Sequence, residues 1–233
     1  MLRAGGSKVP DRSRTSRTDD VQAYFERTAD EFDHLYEDGA QGAVMRRLNR
    51  WLRSDIAQRF GVVMRHAQEI GAQSVLDIGC GSGRYLTALT EIGVRRAVGL
   101  DISAPMLDMA RRRVAAVDGC RVDLVESDFV RWEGDEQFDL VIAMGYFDYQ
   151  SEPVDHLRKM AAHARQSVIA SFPRRHLIRM PIRRLRYLLK RCPVHFFSAQ
   201  QIASLGAEAG FASWDVAVTP KSHASFTAVF RVS

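Results

Sequence analysis

Three glycines at alternate positions, and three aspartates that each follow or end an apolar run, are the residues of this 233-residue chain best placed to hold a ligand. The segment Val75-Leu76-Asp77-Ile78-Gly79-Cys80-Gly81-Ser82-Gly83 reads as a buried parallel strand that breaks into a turn. Branched apolar residues suit the strand, and Gly79, Gly81 and Gly83 allow backbone conformations and close approaches that a Cβ would obstruct. A ligand can therefore press against the main chain. Ser82 is the expected N-cap of a helix that begins near Arg84 and carries Tyr85, Leu86 and Leu89. Two other readings compete. A tight strand-to-helix turn needs glycine for structural reasons alone. A nicotinamide or flavin site has the turn G-x-G-x-x-G, but here one residue fewer precedes the third glycine, and Asp77 stands two places before the first.

The carboxylates continue downstream. Ala97-Val98-Gly99-Leu100 is a second apolar run, and Asp101 at its end could accept hydrogen bonds from both hydroxyls of a ribose. Ser103-Ala104-Pro105-Met106 reads as a helix start, with Ser103 as N-cap, Pro105 in the first turn, and Leu107, Met109, Ala110 and Val114 on the apolar face. A third strand is expected at Val122–Val125, ending in Glu126-Ser127-Asp128-Phe129, and a fourth at Phe138-Asp139-Leu140-Val141-Ile142-Ala143, leading into Met144-Gly145-Tyr146.

In order and spacing these four segments resemble the motifs of the class I S-adenosylmethionine-dependent methyltransferases. The resemblance implies an α/β, Rossmann-like, doubly wound sheet of seven strands, mostly parallel with an antiparallel last strand, and S-adenosylmethionine as cofactor. It also implies roles residue by residue. Asp77, Gly79, Gly81 and Gly83 would form the cofactor turn; Asp101 and Ile102 would hold ribose and pack on adenine; Asp128 would accept from the adenine amino group, with Phe129 shaping the pocket. Cys80, Met106 and Met144 complete the implied cofactor contacts, although Cys80 as a residue type also reads as small packing.

The elements that must position these residues fit one main domain, since 46% hydrophobic content in a chain of this length allows one sizeable core plus appendages. Residues 1–18, rich in Arg, Ser, Thr and Gly, are expected to be a disordered tail. Residues 19–70 are expected to form a helical cap, with Val21, Tyr24, Phe25, Phe32, Leu35 and Tyr36 at helical spacing and then Val44, Leu48, Trp51 and Leu52 on one side of a second stretch. The segment from Tyr24 to Asp33 is similar to the one that closes over the methionine end of the cofactor in many small-molecule methyltransferases, which makes Tyr24 a cofactor or substrate contact. Residues 71–233 would be the cofactor-binding domain. A fifth strand is expected at Ser167–Phe172, a helix from Ala199 to Ala209 capped by Ser198, a helix stop at Gly210, and two strands near 214–218 and 226–232. By the resemblance, those last two form an antiparallel hairpin at the sheet edge.

Between strand five and that helix lies an insertion, residues 174–197, with eight basic residues from Arg174 to Arg191 among Ile178, Ile182, Leu185, Leu188 and Leu189. A basic amphipathic helix of this kind admits a solvated surface helix, a lid offering guanidinium groups to an anionic small molecule, or contact through 174–191 with a membrane surface or nucleic acid. The net charge of +5 permits any of these, and much of it resides in the tail and insertion. Three scattered cysteines, Cys80, Cys120 and Cys192, suit neither a disulfide framework nor a metal cluster, so no metal and a cytoplasmic setting are expected. No run reaches the roughly 20 apolar residues of a membrane span.

The resemblance sets the reaction: a sulfonium makes the methyl carbon electrophilic, and the protein must align a nucleophile with the departing sulfur. Polar candidates at the mouth are Tyr146, Asp148, Tyr149, His156 and His195; Tyr146 ranks first as a catalytic residue because it follows strand four at the ligand-facing edge. The Asn- or Asp-Pro-Pro-aromatic turn of enzymes that methylate exocyclic amino groups is replaced here by Met144-Gly145-Tyr146-Phe147, and Ser171-Phe172-Pro173-Arg174 is similar to strand five of magnesium-protoporphyrin methyltransferases. The leading expectation is methyl transfer to an oxygen of a small-molecule acceptor. RNA methylation and a binding module without catalysis are the alternatives.

Overall fold

The computed structural model describes residues 43–150, 152–174, 195–218 and 225–233. In chain order the elements are α1 (Ala43–Glu69), β1 (Ser74–Ile78), α2 (Arg84–Glu91), β2 (Arg96–Asp101), α3 (Ala104–Val114), β3 (Arg121–Glu126), β4 (Phe138–Ala143), a 3₁₀ turn (Tyr146–Asp148), α4 (Pro153–His163), β5 (Ala164–Pro173), α5 (Ala199–Ala209), β6 (Ser213–Val218) and β7 (Ser225–Arg231). The seven strands form one sheet in the order β3-β2-β1-β4-β5-β7-β6. β1 to β5 run parallel, and β7 runs antiparallel to both β5 and β6, as the edge hairpin required.

Alternate strand residues feed two cores, one on each face of the sheet. Leu76, Ile78, Val141, Val168 and Phe230 pack with Leu157 and Met160 of α4 and Ile202 of α5. Val75, Ala97, Leu140, Ile142 and Ile169 pack with Val63 of α1, Leu86 and Leu89 of α2 and Leu107 of α3. A sheet covered on both faces explains why β1 and β4 read as continuous apolar runs. β6, at the edge, alternates between exposed and half-buried residues.

Of the helix ends read from the sequence, Ser103, Ser198 and Gly210 follow their local chemistry and Ser82 does not. Ser103 caps α3 by accepting from the Met106 N–H, and Ser198 forms a capping box with Gln201 at α5, which stops at Gly210 with φ 89°. Ser82 does not cap α2. The N-cap is Gly83, at φ 76° and without a side-chain cap, while Ser82 Oγ accepts from Arg113 Nη1 of α3 at 2.7 Å. A long-range arginine has taken the hydroxyl that local spacing assigned to the helix.

The expected tail, Tyr24 and its segment, Cys192, and residues 175–194 of the insertion lie outside the described residues. Among the described residues no helix is long and apolar enough to cross a membrane.

Candidate functional site

The site begins where β1 runs out. Gly79, Gly81 and Gly83 all adopt left-handed backbone conformations, with φ of 71°, 52° and 76°, which other residues would hold only under strain. The N–H groups of Gly79 and Cys80 donate to the Leu100 carbonyl at 2.8 and 2.9 Å, so the end of β2 anchors the turn. α3 sits against its far side: a Cβ on Gly83 would lie 3.1 Å from the Ala110 Cβ. The turn is thus gripped from two elements that the sequence separates from it.

Asp101, at the end of β2, holds the first layer of this grip. Its Oδ2 accepts from the Gly81 N–H at 2.8 Å and its Oδ1 from the Ser103 N–H at 2.9 Å. Burial raises its pKa, and hydrogen bonds from the backbone of Ser103, Gly81 and Ile102 oppose that rise. Three backbone N–H groups thus occupy most of the carboxylate's roughly four lone-pair sites and leave one for a ligand hydroxyl.

Asp77 behaves differently. It is 1% exposed, and its Oδ2 has no hydrogen-bond partner in the protein. Burial, followed by the negative charge of Asp101, pushes its pKa up to about 8. A buried carboxyl with an unpaired oxygen is costly unless a ligand supplies the missing partner. Beside it Cys80 is buried, and burial with the charges of Asp77 and Asp101 drives its thiol well above the ordinary range. That thiol is not a nucleophile, in keeping with a packing role.

The third carboxylate, Asp128, follows β3 and accepts from the Val130 N–H at 3.0 Å, which turns the chain so that Phe129 enters the core at 2% exposure. Lys159 of α4 secures this loop. Its ammonium donates to the carbonyls of Phe129, Val130 and Trp132 at 2.7, 3.0 and 2.5 Å and stands 5.0 Å from the Phe129 ring centroid. Nothing local marked Lys159, because its role depends on a loop that reaches it from another strand. Of the remaining positions, Met106 is buried, and Ile102 and Met144 are half-buried.

Tyr146 closes the site from β4. The turn carrying it starts at Gly145, with φ 87°, and brings the Tyr146 Cδ2 to 3.5 Å from where a Cβ on Gly79 would stand. Its hydroxyl lies 2.7 Å from His156 Nδ1 of α4, and burial with the charge of Asp128 holds the phenol well above its usual pKa. Such a group is a wall and not a ready proton acceptor. Two of the other polar candidates converge here, since the His195 N–H donates to the Asp148 carbonyl at 2.9 Å. Arg174 bridges to Phe197, whose N–H donates to the Pro173 carbonyl at 2.9 Å. Both ends of the 174–197 segment are therefore pinned beside the Tyr146 turn.

Residues 75–186 match the methyltransferase domain family. In sequence, the chain is 30% identical over 100 residues to the tRNA U34 carboxymethyltransferase of Shewanella sp. (strain W3-18-1), covering 42% of this chain and 30% of that protein. The same enzyme from Cronobacter sakazakii is 30% identical over 107 residues, covering 45% and 32%. The chain thus spans about a third of the length of these curated relatives. In fold, it is similar to the magnesium protoporphyrin IX methyltransferase of Synechocystis PCC 6803 with bound SAH, at a TM-score of 0.74 and 20% identity, covering 93% of this chain and 100% of that one. The same protein with bound SAM gives a TM-score of 0.73 at 20% identity, covering 97% and 100%.

Proposed function

We propose that this chain, which belongs to the class I S-adenosylmethionine-dependent methyltransferases, transfers the methyl group of that cofactor to an oxygen of a small anionic acceptor. The observation that carries the donor half is the unpaired Oδ2 of Asp77, buried beside the glycine turn. It fits the cationic amino end of S-adenosylmethionine, which would supply the partner that the protein withholds. Asp101 fits a ribose hydroxyl with its remaining lone pair, and Phe129, fixed by Lys159, fits the side of the adenine. When bound, the cofactor supplies a methyl carbon made electrophilic by its sulfonium.

The acceptor reading rests on proton chemistry. Tyr146 is committed to His156 and is pushed away from a useful pKa. A carboxylate oxygen is already ionised, so it needs orientation but no base. Arginine suits such an acceptor, and the arginine-rich segment leaves β5 at Arg174, which bridges to Phe197, and returns at His195, whose N–H bonds the turn at Asp148. The likeness in fold to magnesium protoporphyrin IX methyltransferase supports a small-molecule acceptor. The likeness to tRNA U34 carboxymethyltransferases favours a second reading, with RNA as acceptor.

Transfer of labelled methyl from S-adenosylmethionine into a metabolite extract, run beside bulk tRNA, tests both. Label in an organic-soluble ester that base hydrolyses supports the first reading. Label in RNA, with RNA binding that weakens steeply with salt, overturns it in favour of the second. Cofactor binding without transfer to either would leave a binding module.

A further inference from the structure

α1 meets the sheet with polar side chains where an apolar stripe is the ordinary solution. Among the described residues its buried side chains are Asp55 and His66 beside the apolar Val63 and Ala67, and Arg59 lies between on the same side. Asp55 is buried, accepts from Ser225 Oγ at 3.0 and 3.1 Å and pairs with Arg59 at 3.1 Å. Arg59 Nη1 donates to Ser171 Oγ at 3.1 Å, and His66 Nε2 lies 2.8 Å from Ser167 Oγ. In the β5–β7 register Ser171 stands opposite Thr227, and Pro173 opposite Ser225, so these hydroxyls line one face. The helix therefore runs along β5, with Asp55 over the carboxyl edge that holds the site and His66 toward the other. An ion pair sunk in such a contact adds little net stability over apolar packing. Its placement calls for a different account.

That account lies at Ser171. Its Oγ also accepts the Gly145 N–H at 2.7 Å, which spends both lone pairs of the hydroxyl. Gly145 opens the turn that sets Tyr146 against Gly79. A continuous polar chain thus runs from Ser225 through Asp55, Arg59 and Ser171 to the backbone of the donor site. We propose that Arg59 and Ser171 are positioning residues, through which α1 fixes the Gly145 turn and so the wall that Tyr146 presents to the cofactor. The proposal rests on reading the glycine turn as the S-adenosylmethionine site. It makes the N-terminal helix a working part of that site, and because coupling is reciprocal, an acceptor that engages α1 changes cofactor affinity by the factor that the cofactor returns.

The test compares two contacts on one helix. Affinity for S-adenosylhomocysteine is measured by calorimetry, with melting temperature alongside, for the full chain and for Arg59→Met, Arg59→Lys and His66→Ala. Arg59→Met is expected to weaken binding at least about fivefold, the low end of coupling between sites, with Arg59→Lys recovering part of the loss. His66→Ala removes a buried contact at the far edge, so it should lower the melting temperature and leave affinity unchanged. Should Arg59→Met fail to fold, Arg59→Lys against His66→Ala decides by the same criterion. A wild type that binds while the Arg59 variants bind equally well, or an equal loss in His66→Ala, overturns the proposal alone. A wild type that does not bind overturns the cofactor reading with it.

Discussion

Acidification should release the cofactor well before it unfolds the protein, because the carboxyl offered to the cofactor's cationic end is protonated in the free chain near neutrality. Asp77 is raised to about 8, first by burial and then by the charge of Asp101. Only its ionised form can take an ammonium group. With a pKa of about 8, the competent fraction is about 0.5 at that pH, about 0.09 one unit below and about 0.01 two units below, so the fall in apparent affinity steepens to about tenfold per unit below about pH 7. That slope is about 1.4 kcal/mol per unit. The cofactor's own amino group titrates near pH 8, so affinity should peak there, and the acid limb belongs to Asp77. Calorimetry with S-adenosylhomocysteine at about pH 6, 7 and 8, in two buffers of different ionisation heat, reads both affinity and protons. At pH 7 the net release on binding should be about 0.8 proton, about 0.9 from Asp77 less about 0.1 taken up by the cofactor's amino group. Asp77→Asn keeps the shape without the charge; it should bind weakly, lose the acid limb, and show in place of the release only the roughly 0.1 proton taken up by the amine. Stability provides an independent check. The folded pKa lies above the unfolded one, so the native state binds more protons between about pH 4 and 8, and the cofactor-free protein loses stability as pH rises through that window. Asp77→Asn escapes this loss, and its advantage in melting temperature should widen toward pH 8. Affinity that is flat from pH 6 to 8, or an Asn variant that binds like the wild type, would refute the reasoning.

Asp101→Ala removes the acceptor of the Gly81 and Ser103 N–H groups and of the ribose, and should weaken S-adenosylhomocysteine binding about ten- to hundredfold by calorimetry; unchanged affinity would place the ribose elsewhere. Tyr146→Phe keeps the ring against Gly79 and gives up only the bond to His156, so kcat should fall less than about tenfold with an unshifted pH–rate profile. A loss of about 10²–10⁴ would instead identify Tyr146 as a general base. Gly99→Ala would place a Cβ 2.7 Å from Leu86 Cδ1 and 2.9 Å from Cys80 Sγ, under the cofactor turn. Denaturant unfolding should show a loss of about 1–3 kcal/mol, and an unmoved midpoint would mean that the core yields there.

The glycine turn and strand-end aspartates proposed as the donor site were legible in the sequence because their residues are local. Gly79, Gly81 and Gly83 declare their backbone conformations by type, and Asp101 and Asp128 mark strand ends by the pattern around them. Ser103, Ser198 and Gly210 terminate helices by contacts within a few residues, and each was legible in the same way. Ser82 misled for the opposite reason: Arg113 reaches it from another helix and takes the hydroxyl that local spacing reserved for a cap. Lys159, Arg59 and Ser171 were silent. A lysine on α4 acquires meaning only when three carbonyls of the β3–β4 connection close around it, and a serine in an apolar strand reads as a strand residue until Gly145 and Arg59 arrive on it. Tyr146 lies just after β4, as its place in the sequence led one to expect, but its raised pKa comes from its burial and the charge of Asp128, neither of which periodicity conveys.

On the proposed reading, the Gly145 turn is where the two halves of the reaction meet, and the covalent order of the chain explains why. β4 lies next to β1 in the sheet, so the residue after its end must face the glycine turn after β1. β5 lies on the other side of β4, so its end must face the same residue from the acceptor side. Gly145 takes the one conformation, φ 87°, that lets its N–H turn to Ser171 of β5 while Tyr146 turns to Gly79 of β1. A side chain there would be strained whatever space surrounds it. The return of the arginine-rich segment at His195 binds the carbonyl of Asp148 in the same turn. On the proposed reading, a shift at His195 would therefore reach, within two residues of Asp148, the tyrosine that walls the cofactor, a short path suited to a methyl transfer that depends on orientation.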